Sequence, residues 1–79
     1  METSIDVEKV IINISKKHFN IDDIDTNTNF FTDLQSTTFD IVEIIVKVEE
    51  ALHMQIKDDM IEEIDSVESL AEASSRCLL

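Results

Sequence analysis

Three hydroxyl side chains, Ser36, Thr37 and Thr38, stand together in the stretch L-Q-S-T-T-F-D at residues 34–40. A hydroxyl of this kind can attack an activated phosphate and keep the transferred group as an ester, provided a base takes its proton. The chain offers no such base by spacing. Neither His18 nor His53 stands at an informative distance from a serine or from Cys77, so catalysis by this chain alone is not expected.

The other reactive residue types read as structural. Each histidine closes an apolar helical segment, where an imidazolium meets the negative end of the helix dipole. Two histidines and a single cysteine make no zinc set by spacing, so no metal is expected, and Cys77 reads as an incidental thiol. The alternation Asp23, Asp25, Asn27 imitates the start of a calcium loop. The imitation fails at Thr28, where that loop needs glycine, and at Leu34, where it needs a bidentate glutamate.

Helices must position these groups, because the chain has no glycine and no proline and so lacks the usual residues of hairpin turns. Val7, Val10, Ile11, Ile14 and His18 recur at helical spacing over residues 4–18, with Asp6 and Glu8 in the first turn and Thr3 or Ser4 as cap. From residue 20 the pattern breaks for nearly twenty positions rich in Asn, Asp and Thr. Ile21, Ile24, Phe30, Phe31 and Leu34 punctuate that stretch, so it should be a packed loop.

The strongest helix spans residues 38–53, opened by Thr37 with Asp40 three positions on, an acidic form of the capping box. Ile41, Ile45, Val48 and Leu52 form its core stripe. A second apolar line, Phe39, Val42 and Val46, lies about 100° or more around the helix and is bordered by Asp40, Glu43, Glu49 and Glu50. That line is either a solvated face or a docking face on which the acids steer a basic partner; the surplus of apolar surface favours docking. A short element follows, with Met60, Ile61 and Ile64 inward. The last helix is opened by Asp65 with Glu68 three on, and runs through Val67, Leu70, Ala71 and Ser74.

Eighteen acids against six bases give a net charge of −12, which repels nucleic acid and anionic membrane surfaces and suits a basic protein partner. No stretch approaches the roughly 18 apolar residues of a membrane span. One all-α domain over residues 1–79, cytoplasmic and monomeric, is the expectation.

These residues resemble the acyl carrier proteins of fatty-acid and polyketide synthesis. The likeness runs through V-E-K-V-I, N-F-F-T-D-L, F-D-I-V-E-I-I-V-K-V-E-E-A-L, I-K-D-D and I-D-S-V-E-S-L, nearly the whole chain. The resemblance implies a four-helix bundle with three main helices, a short third helix and a long first loop. It also implies 4'-phosphopantetheine, attached to the serine of an Asp-Ser-Leu motif at the start of the second helix. Counting from Asp33 and Leu34 puts Thr37 on that aspartate, Thr38 on the serine and Phe39 on the leucine. All three differ from the family motif; an engineered replacement of serine would need only one change, so three favour natural divergence, though the sequence alone does not separate the two. Ser36 is the second candidate, two residues outside the matched register.

The family's partners, of the phosphopantetheinyl transferase, ketosynthase and acyltransferase classes, meet the start and outer face of the second helix. Here that face comprises Thr37, Phe39, Asp40, Val42, Glu43, Val46, Glu49 and Glu50. Threonine is a secondary, β-branched nucleophile, so attachment at Thr38 should be slow or absent with an ordinary transferase. Two functions therefore stand: an acyl-carrier-type protein with Thr38 at the attachment position, or a non-acylated module of the same fold that docks to or regulates a basic enzyme.

Overall fold

In the computed structural model, which describes residues 6–78, Asp6 is the cap of the first helix and not part of its first turn. Its carboxylate accepts from the Lys9 backbone N–H at 3.1 Å, and α1 runs Val7–Phe19. The caps expected at Thr3 or Ser4 lie outside the described residues. Lys16, Lys17 and His18 occupy the last turn, where cations offset the helix dipole, and Asn20 ends the helix in the left-handed region at φ 57°.

Residues 20–37 form the long loop, held by its own polar side chains. The Asn29 carboxamide accepts from the Phe31 and Thr32 N–H groups, and the Asp33 carboxylate accepts from the Asn29 N–H. Thr28 and Asn29 also run beside the start of the last helix: the Phe30 N–H donates to the Asp65 carbonyl at 2.8 Å and the Val67 N–H to the Thr28 carbonyl at 3.1 Å. Ile24 and Phe30 are buried, and Leu34 packs against the core. Fully burying a phenylalanine contributes about 1.5–3 kcal/mol, enough to anchor the loop. Ile21 and Phe31, expected inside, lie on the surface instead. The turn that Asn29 caps faces Phe30 inward and its neighbour outward. Asp25, part of the calcium-loop imitation, turns its carboxylate to the Asn27 N–H at 2.9 Å, which makes a local turn.

The second helix, α2, spans Thr38–Leu52, with His53 as its left-handed C-cap. Ile41, Ile45, Val48 and Leu52 are buried as their spacing predicts, and Ile44 joins them. α2 is thus buried across a wider arc than a single i, i+4, i+7 stripe. The third helix, α3, is one turn over Asp58–Ile61, with Met60 and Ile61 half-buried and the following Ile64 buried.

The last helix, α4, runs Val67–Leu78. Its cap differs from expectation. The Ser66 hydroxyl accepts from the Ser69 N–H at 3.1 Å, while the Ser69 hydroxyl accepts from the N–H groups of Asp65 and Ser66. Two serines thus close a reciprocal cap, and Asp65 and Glu68 do not supply it. The four helices pack as an all-α bundle in which α1 contacts both α2 and α4. No strand occurs among the described residues.

Candidate functional site

The site is built at the first turn of α2. Thr37 is extended at φ −98°, ψ 169°, and its hydroxyl accepts from the Asp40 N–H at 3.2 Å. Asp40 Oδ2 accepts in return from the Thr37 N–H at 3.0 Å and from the Thr37 hydroxyl at 3.1 Å. The capping box read from the sequence is therefore closed at both ends.

That lock leaves Thr38 as the first helical residue, exposed to solvent, with no hydrogen bond to its hydroxyl among the described residues. The free N–H groups of this first turn and the helix dipole favour an anionic group here, a phosphodiester included. Ser36 is placed differently. Its hydroxyl donates to the Phe30 carbonyl at 2.7 Å and its N–H donates to the same oxygen, so the side chain is committed to holding the loop. Gln35, just before it, sits at φ 53° in the left-handed region.

Phe39, Val42 and Val46 form one outward line on α2, 69, 43 and 45% exposed. Glu50 is exposed beside them. Glu49 is turned inward instead: its carboxylate accepts from the Ile56 N–H at 2.8 Å and ties the segment after α2 back onto the helix. Asp40 and Glu43 lie on the flank that meets α1. There the His18 imidazole Nε2 stands 3.1 Å from Asp40 Oδ1 and 3.8 Å from Glu43 Oε1. Asp40's carboxyl is held below its usual value by the Thr37 backbone N–H first and by the hydrogen bond from His18 second.

No spacing rule joins His18 to Asp40, because 22 residues separate them. Cys77 packs near Met60, with its Sγ 3.6 Å from the thioether sulfur, and His53 is a helix cap; neither joins the site.

A family model described as the phosphopantetheine attachment site matches residues 9–74. Over 64 residues, 78% of this chain and 81% of the relative, the sequence is 38% identical to the acyl carrier protein of Buchnera aphidicola subsp. Schizaphis graminum (strain Sg). The chain belongs to the acyl carrier protein family. As an acyl carrier protein it is a carrier and not an enzyme, and its family role is to bear acyl groups on phosphopantetheine and interact with biosynthetic enzymes.

An exposed hydroxyl beside the free N–H groups of a helix N-terminus suits an attached phosphodiester. Thr38 is exposed at a helix N-terminus, and Thr37, in place of the motif's aspartate, keeps the capping function although it removes a carboxylate. No helix among the described residues is long and apolar enough to cross a membrane.

Proposed function

We propose that this chain is an acyl carrier protein of fatty-acid or polyketide-like biosynthesis whose attachment residue is Thr38. The observation that carries this reading is the position of Thr38, the first residue of α2 behind a closed capping box, exposed and in the family's register. Thr38 Oγ1 would act as the nucleophile, with its proton taken by a base of the transferase, since no side chain of this chain is placed to take it. When bound, the arm supplies a terminal thiol that holds an acyl group as a thioester. The protein's own residues position and present it.

The β-branched side chain restricts χ1 at Thr38. In a transferase site shaped for serine, an error on the order of 1 Å costs about a hundredfold in rate. The decisive test is intact mass after incubation with coenzyme A, magnesium and a broad-specificity transferase, beside Thr38→Ser. A gain of roughly 340 Da on the unaltered chain, mapped to Thr38, is the expected result. A gain on Thr38→Ser alone overturns attachment at Thr38.

A second reading, the non-acylated docking module, is favoured by the apolar line of Phe39, Val42 and Val46, which is presented to solvent whatever Thr38 carries. Partners of the phosphopantetheinyl transferase, ketosynthase and acyltransferase classes would meet it through basic patches, with Glu50 and Glu43 steering. Phe39→Ala with Glu50→Lys should weaken binding to such an enzyme at least tenfold in surface plasmon resonance. Thr38→Ala should leave binding unchanged if this second reading is right, and weaken binding to the transferase if Thr38 is its substrate.

A further inference from the structure

We propose that His18, Asp40 and Glu43 form a binding site for a divalent transition-metal ion of the zinc class, a site that clips the last turn of α1 to the first turn of α2. The proposal goes beyond the carrier reading and does not rest on it.

Geometry carries the argument. A tetrahedral ion with nitrogen and oxygen ligands near 2.0–2.1 Å needs its ligand atoms about 3.4 Å apart. The His18 Nε2 to Asp40 Oδ1 distance of 3.1 Å and the His18 Nε2 to Glu43 Oε1 distance of 3.8 Å bracket that value. All three ligand atoms lie within 4.8 Å of one another, so the largest gap closes by a rotamer adjustment of the half-exposed Glu43.

The donors also suit the ion. Asp40 Oδ2 is fully used by Thr37, which fixes the carboxylate and aims Oδ1 at the imidazole. The His18 side chain is only 12% exposed, so its ring is held by packing before any ion arrives, and ordering it on binding costs little. Two carboxylates with a divalent cation leave the cluster without net charge, in a chain whose net charge is −12. An imidazole with two carboxylates matches zinc, copper or nickel and not calcium, which asks for six to eight oxygens. Three protein ligands leave the fourth position for water. Binding requires a bare Nε2, so the proton it donates to Asp40 is displaced to solvent or moves to Nδ1.

Counting histidines and cysteines along the sequence missed this site. Two of its three ligands are carboxylates, and the third is on another helix.

The test uses the full chain carrying Cys77→Ser, so that the thiol cannot compete for the ion. Zinc titration by calorimetry is expected to give one tight equivalent with proton release. Cobalt should give the visible absorption of a tetrahedral site. His18→Gln and Glu43→Gln are each expected to lower zinc affinity at least tenfold and to abolish the cobalt band, while His53→Gln changes neither. Far-UV circular dichroism confirms that the variants keep their helices. Magnesium should bind weakly, with no dependence on His18. The proposal is overturned by zinc binding that survives both His18→Gln and Glu43→Gln, or by a folded chain that takes up no zinc.

Discussion

At the residue scale the arrangement turns on which backbone positions this glycine-free chain must force. Gln35 adopts φ 53°, where a β-carbon crowds the following carbonyl and costs roughly 1–2 kcal/mol. The strain is tolerated because the next residue, Ser36, anchors the loop twice on the Phe30 carbonyl. Gln35→Gly relieves the crowding but adds unfolded-state entropy, so a net gain of about 0.5 kcal/mol is expected in urea melts. A loss of stability instead would show that the Gln35 side chain contributes contacts larger than the strain. Nothing in the sequence marked this position, since left-handed backbone is legible only where glycine or asparagine signals it. Asn20 carried that signal; Gln35 did not.

Helix ends and faces belong to the element scale, where most of the site was legible. Thr37 and Asp40 were identified as a capping pair from a spacing of three residues, and the structure closes both bonds. Thr37→Ala should cost about 1 kcal/mol and fray the turn that carries Thr38, measurable as faster amide exchange there.

Asp40 adds a pH dependence with a definite sign. Its folded carboxyl titrates below the usual 3.8, so its contribution is fully present above that value and disappears as pH falls through the lower folded one. Measured in EDTA to keep metal out, stability should therefore fall below about pH 4 more steeply in the unaltered chain than in Asp40→Asn. Equal slopes would show that the capping box does not hold the carboxylate ionised. The α4 cap was harder to read. Aspartate and serine adjoin at residues 65 and 66, both suit the role, and the pairing of Thr28 and Asn29 with this junction selects Ser66.

On the scale of the whole molecule, charge and close packing compete. Eighteen acids against six bases on so small a chain repel one another, and six lysines and arginines relieve only part of that field. Raising sodium chloride from about 10 mM to 200 mM, again in EDTA, shortens the screening length from roughly 30 Å to below 10 Å. Each kcal/mol so relieved raises the melting temperature by about 4–8 °C for a chain of this size. An unchanged melting temperature would rule out self-repulsion as a destabilising force.

Local physics made much of the protein readable without coordinates. The 3.6-residue period located α1, α2 and α4, while the second apolar line on α2 announced a face with more contact surface than one core uses. These signals were legible because each is carried by residues within a turn or two of one another, whereas Thr38 was nominated by resemblance alone, through the family motif counted from Asp33 and Leu34. Only the tertiary structure decided the rest. Ile44 and Phe30 went inside while Phe31 stayed out, Glu49 turned away from the exposed line of Phe39, Val42 and Val46 to hold Ile56, and His18 came to rest against Asp40 and Glu43. Those outcomes depend on contacts between segments set apart in the chain, such as the eighteen-residue loop that joins α1 to α2 and runs beside the start of α4, and such contacts leave no periodic trace.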